Sequence, residues 1–196
     1  YFKLKNAEAF AKKGKKEDFS LRDIKVNTGA LERIFGPGGV QVKTQGYVEA
    51  SMGIKHTRVD NPTISAKNRS RFMFDFDEKS PWHTKWGKGE GVPADITIDL
   101  RSVNKLDRLE YIPREDAGNG TLLAGSFSYS TDRQTWSAPV KFEWAQNADH
   151  KTFSFAGNPE ARYVKMHLDK AVGNFASGSQ MYIFKVAGSE SFYQGD

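Results

Sequence analysis

The chain has no cysteine. Disulfide frameworks, thiolate zinc sites and cysteine nucleophiles are excluded together by that one absence. It also lacks any unbroken run of about 18 apolar residues, so no membrane-spanning helix is expected. No secretory leader is legible at the start, which reads YFKLKN without a methionine, as an excised piece of a longer protein would. The motifs H-E-x-x-H and G-x-S-x-G and a phosphate-cradling glycine loop are missing too. Carboxylates are plentiful, among them Glu90, Asp95, Asp99, Glu110, Glu115 and Asp116. A glycosidase pair requires two of them at a defined separation across one bond, and nothing in their spacing supplies it. The reading is therefore of a protein that is not an enzyme.

A net charge of +5 invites a nucleic-acid partner, but the excess is local. The segment KLKNAEAFAKKGKK carries six lysines against one acid, and the rest of the chain is close to neutral. Such a run reads as a solvated lead-in, because a nucleic-acid footprint needs basic residues gathered on one folded face.

Aromatics make up 13% of the chain, with 14 phenylalanines against a modest 38% hydrophobic share. That balance points to an all-β protein with aromatic-filled layers. From Phe72 onward short alternating strands recur: ITIDL (96–100), RLEYIP (108–113), GSFSYS (125–130), VKFEWA (140–145), KTFSFA (151–156), ARYVKMHL (161–168) and QMYIFKV (180–186). Turn clusters separate them, among them AGNGT, STDRQTW, AQNADH, AGNPE and GNFASGS. With no helical segments between, the pattern predicts a β-sandwich or barrel. Alternation in ARYVKMHL turns Tyr163, Lys165 and His167 to one face, leaving His167 an exposed strand residue without a role. Residues 1–45 are read as an N-terminal extension or the tail of a preceding module, with AEAFAKK as a helical turn and RDIKV as a short strand. Residues 46–196 are read as the domain.

The stretch FDFDEKSPWHTKW, from Phe74 to Trp86, adds a chemical signature. Together with ADITIDL, LEYIPREDAGNGTLLAGSFSYSTDRQTW, EARYVKMHL and NFASGSQMYIF it resembles, in order, the landmarks of the coagulation-factor type C (discoidin) domain. More narrowly it is similar to family 32 carbohydrate-binding modules. The resemblance implies a jelly-roll-like sandwich of about eight antiparallel strands, galactose-binding domain-like, with a shallow loop site that binds without doing chemistry. It further implies a terminal galactose-type sugar as ligand, other domains of a larger surface or secreted protein as partners, and an extracellular, cell-surface or periplasmic location in a bacterium. Neither nucleic acid nor membrane insertion is expected.

Carried over by position, the resemblance marks His83, Arg114 and Asn119 as hydroxyl readers and Phe175 as the stacking platform, with Trp86 as a second aromatic. Each has a plainer reading. Trp82 packs the loop under the sandwich, where a buried indole stabilises by about 2–3 kcal/mol. If Trp82 points inward, alternation turns His83 to solvent; the alternative is an imidazole bonded to a backbone carbonyl. Arg114 could instead pair with Glu115 or Asp116, and Asn119 could serve only as a turn former. Asp75, Asp77 and Ser80 have the spacing of an oxygen-ligand loop, and relatives hold a structural calcium there. Two departures stand out: Phe76 replaces the usual Gly, and Gln180 replaces the completing Glu. STDRQTW resembles an Asp-box hairpin but occurs once and reads as a turn. Left open on the same fold are a protein-interaction or cell-surface adhesion module and a phospholipid-binding domain.

Overall fold

The computed structural model describes residues 39–40, 48–50, 54–56, 72–74, 77–79, 81–84, 91–189 and 192–193. Twelve strands occur among them: β1 (Gly39–Val40), β2 (Val48–Ala50), β3 (Ile54–His56), β4 (Trp82–Thr84), β5 (Ala94–Ile112), β6 (Leu122–Ser130), β7 (Val140–Glu143), β8 (Lys151–Ser154), β9 (Glu160–Ala171), β10 (Ser177–Gly178), β11 (Gln180–Lys185) and β12 (Phe192–Tyr193). All of their pairings are antiparallel. The segments expected at AEAFAKK and RDIKV lie outside the described residues. Gly39 and Val40 pair with Phe184 and Ile183, so two residues ahead of position 46 are hydrogen-bonded into a sheet.

Alternation located the longer strands well but split one of them. ITIDL and RLEYIP are two halves of β5, which runs unbroken for 19 residues. The first half pairs with β2 and β9, the second with β11 and β8. Between them the ladder shifts register from Asp99 to Asn104, and Arg101 adopts a left-handed φ of 67°. Asp99 holds that bend, accepting from the Arg101 backbone N–H at 2.8 Å while pairing with Arg162 at 2.9 and 3.0 Å. RSVNK, which looks like a loop in sequence, is a strand crossing from one layer to the other.

The inner faces of the two layers meet in one core. Ile96, Ile98, Phe127, Phe142, Val164, Met166 and Leu168 come from one layer, and Leu109, Tyr111, Phe153, Met181 and Ile183 from the other. Phe127 spans the gap, its ring centroid 5.1 Å from Phe142 on its own layer and 4.4 Å from Phe153 across the core. The aromatic richness of the sequence thus fills the space between sheets. His167 stands on the outer face, half-exposed as expected, with Nδ1 2.7 Å from Asp95 Oδ1.

Because β5 starts and finishes at the same end of the sandwich, register decides which loops are neighbours. Ala94 pairs with Leu168 and Leu122 with Ala171 in one layer; Ile112 pairs with Gln180 and Tyr111 with Lys151 in the other. The connections 91–93, 113–121, 144–150 and 172–179 therefore gather at one end. The small sheet β10–β4–β3 sits there too. The hairpin 131–139 and the bend in β5 lie at the other.

Candidate functional site

Three segments far apart in sequence meet at the first of these ends. β4 supplies His83, the loop after β5 supplies Asn119, and the turn after β9 supplies Phe175. The His83 Nδ1–H donates to the carbonyl of Thr84 at 2.5 Å. A carbonyl can only accept, so in the neutral ring Nε2 carries the lone pair. Asn119 Nδ2 lies 3.3 Å from that nitrogen and donates to it. The Phe175 ring lies 5.7 Å from the imidazole, tilted by 41°.

One expectation is corrected here. His83 does not face solvent: its exposure is 0%, as are those of Trp82 and Thr84. Simple alternation fails because β4 is the middle strand of the small sheet and is covered on both faces, Phe175 lying over the imidazole. The plainer reading, a histidine bonded to a backbone carbonyl, describes the ring's Nδ1. Its Nε2 reaches the surface through Asn119, which is half-buried, as is Phe175.

Asn119 is more than a turn residue. With Nδ2 engaged by His83, its Oδ1 has no hydrogen-bond partner among the described residues and abuts the backbone of Gly173, where an added Cβ would come within 1.8 Å. Gly173 has a left-handed φ of 66°, so backbone conformation and the nearby Asn119 amide both disfavour a side chain at that position. The next residue, Asn174, also has positive φ, and its carbonyl accepts from Val92 N–H at 3.1 Å. On the other side of Phe175, Ala176 and Thr84 bond reciprocally: Thr84 N–H donates to Ala176 O at 2.8 Å, and Ala176 N–H to Thr84 Oγ1 at 3.3 Å. Both chain neighbours of Phe175 are thus tied to other segments.

Arg114 stands at the start of the same loop. It pairs with Asp116 at 2.7 Å, and Asp116 in turn accepts from Gly118 N–H at 2.9 Å. No hydrogen bond joins Arg114 to His83 or Asn119; its guanidinium is used to shape the loop. An exposed pair of this kind contributes under about 1 kcal/mol. Gln146 closes the loop from the β7–β8 side, Nε2 to Ala117 O at 3.4 Å.

Beneath the surface Tyr111 ties the layers to the loops. Its hydroxyl donates to Ser177 O at 2.6 Å and accepts from Leu122 N–H at 3.3 Å. Burial pushes this phenol well above its ordinary pKa, so it remains a donor throughout the accessible pH range. Tyr111, Thr84 and Ser177 carry no mark in the sequence reading. Their only signal was position inside the quoted landmarks, since a buried hydroxyl in a strand looks like any other small polar residue.

Of the four expected metal ligands, Asp75 and Ser80 lie outside the described residues, as does Trp86. Asp77 Oδ1 accepts from Lys79 N–H at 3.0 Å, and Gln180, fully buried, accepts from Met181 N–H at 3.2 Å. Tyr182, on the same face of β11 as Gln180, donates to Glu78 at 2.9 Å and so fastens the strand to the Asp77 loop. Among the described residues no group of three or more His, Cys, Asp or Glu side chains is gathered that could hold a metal ion. Of Asp77 and Gln180, only Asp77 brings negative charge, against the six to eight oxygens that calcium takes.

Several of the carboxylates lie against basic side chains: Asp95 beside His167, Asp99 beside Arg162, Glu110 beside Arg108 and Asp116 beside Arg114.

Comparison with known proteins bears on the fold and the family. The family 32 carbohydrate-binding module of NanJ from C. perfringens, solved with galactose, is 19% identical; it superposes with a TM-score of 0.59 over 76% of this chain and 98% of that one. CpGH89CBM32-5 from Clostridium perfringens, solved with GalNAc-beta-1,3-galactose, is 27% identical, with a TM-score of 0.59 over 74% of this chain and 99% of that one. Galactose oxidase of Gibberella zeae is 29% identical over 103 residues, which is 50% of this chain but only 15% of that protein. The family model of the F5/8 type C domain matches residues 55–181, a span holding β4 to β10 and His83, Asn119 and Phe175. The chain belongs to the F5/8 type C domain family.

Proposed function

We propose that this domain is a non-catalytic carbohydrate-binding module for terminal galactose-type sugars, reading them at the loop end of the sandwich. One observation carries the reading: among the described residues Asn119 Oδ1 has no hydrogen-bond partner, while His83 fixes the amide's orientation and the Phe175 ring stands beside them. An acceptor of fixed direction next to an aromatic face is the combination a sugar needs, hydroxyls on one side and C–H groups on the other. Asn119 Oδ1 accepts from a hydroxyl, Phe175 stacks, and His83 works through the amide it holds. Arg114 and Trp86 flank the ligand. The likeness to modules solved with galactose and GalNAc-beta-1,3-galactose supports the choice of sugar.

Affinity at so shallow a site is weak, on the order of 0.01–1 mM or roughly 4–7 kcal/mol, and it gains by avidity within a larger protein. The same proposal assigns residues 46–196 to the binding domain, places it outside the cell or on a bacterial surface, and puts a structural calcium at Asp75, Asp77, Ser80 and Gln180. A glycan array with the isolated chain, run with calcium and with chelator, tests it. Binding to terminal galactose or GalNAc, lost in Asn119→Ala, is the expected result. A folded protein silent across the array would overturn the reading in favour of protein adhesion.

A further inference from the structure

Ser177 is fully buried and touches no surface, yet it meets every segment of the site. In the β10–β4 ladder it pairs with His83. Its N–H donates to Gly120 O at 2.8 Å and its Oγ to Asn119 O at 2.9 Å. Its own carbonyl accepts from Tyr111 at 2.6 Å. Gly120, at a left-handed φ of 93°, lies so close that an added Cβ would fall 2.3 Å from Ser177 Oγ. The 172–177 turn is also fastened to the same loop at its other end, where Gly120 N–H donates to Val172 O at 2.7 Å and Val172 N–H to Thr121 O at 2.9 Å. Phe175 thus sits on a bridge with both ends on residues 119–121, and among the described bonds joining the two segments the one from Ser177 Oγ to Asn119 O is made by a side chain.

We propose that Ser177 is a positioning residue for the sugar site, its hydroxyl fixing the Asn119 backbone and so the distance from the Asn119 amide to the Phe175 ring. The assignment rests on the reading of that site as sugar-binding. The hydroxyl has no ligand to touch and contributes by preorganisation: without it the amide and the ring sample separations that cannot both engage one sugar.

The test uses Ser177→Ala beside Ser130→Ala, which removes a hydroxyl bonded to Asp132 and to the backbone of Asp132 and Arg133 at the far end. Affinity for methyl β-galactoside is measured by calorimetry, and the Asn119 side-chain amide by 1H–15N correlation, assigned with Asn119→Asp. Ser177→Ala should bind about fivefold more weakly, the scale of one neutral hydrogen bond, with the Asn119 amide pair displaced. Ser130→Ala should lower the melting temperature and change neither signal. If Ser177→Ala fails to fold, Ser177→Cys fills the site with a slightly larger group whose thiol is a weaker donor. An unmoved Asn119 amide, or unchanged affinity, overturns the proposal. If the unmodified chain binds no galactoside, the sugar reading fails, and the amide signal alone then decides whether Ser177 places Asn119.

Discussion

The two ends of the sandwich are built by different means from similar residues. At the far end, the STDRQTW hairpin closes on itself: Ser130 Oγ accepts from the backbone of Asp132 and Arg133, and Asp132 Oδ1 from Gln134 and Thr135. Ser137 completes it through Tyr129 N–H. At the loop end, Asp116 caps Gly118 in the same manner and Thr121 bonds back to Gly118, but other groups of the loop reach elsewhere, to His83, Ser177, Val172 and Gln146. A turn satisfied by its own side chains is complete as a piece of the fold. A loop held partly by distant segments has its shape set from outside, and under the proposed reading the side-chain oxygen it presents to a ligand is Asn119 Oδ1.

The comparison breaks first if the shared core is cut. Phe127→Ala removes the ring that joins both layers and should cost about 3–5 kcal/mol, lowering the melting temperature and loosening both ends alike. Next in size, Phe175→Ala should cost roughly 2 kcal/mol of sugar affinity, as a central aromatic contact does, carrying a weak site beyond calorimetric detection. Thermal stability should largely hold, because the ring is only half-buried and its one ring neighbour among the described residues is His83.

Gly173→Ala sharpens the contrast. The left-handed backbone and the 1.8 Å approach to Asn119 Oδ1 should make it destabilising, by about 1–3 kcal/mol, and weaken sugar binding at the same time. The same change at Gly157, also of positive φ but with nothing near its added Cβ, should leave binding intact.

The smallest effect is acidic and confined to the far end. Backbone N–H groups of Thr135 and Gln134, then the Ser130 hydroxyl, hold the Asp132 carboxyl down at about 2. A depressed carboxylate contributes stability that is fully present above its unfolded value near 4 and lost as pH falls towards 2. Asp132→Asn should therefore flatten the acid limb of a melting-temperature profile in that window and leave sugar binding at neutral pH unchanged.

How much of this was legible in the sequence follows from the physics of each part. Strand positions were legible because one face of each longer strand is buried and period-2 alternation survives. The β5 crossing was hidden, since Asp99 and Arg162 hold it from 63 residues apart. Asn119 and Phe175 stood out as a large aromatic and an Asn-Gly pair among small residues. His83 was placed on the wrong side because alternation presumes one open face, and β4 has none. Ser177 was invisible because its role is made of partners at positions 111, 119 and 120 that only folding brings together.

The most direct test of the central claim is a backbone 1H–15N titration with methyl β-galactoside. The account predicts saturable shifts in residues 117–121 and 172–178, with the 130–137 hairpin unmoved. Shifts centred on the hairpin, or none at millimolar sugar in a folded chain, would contradict it.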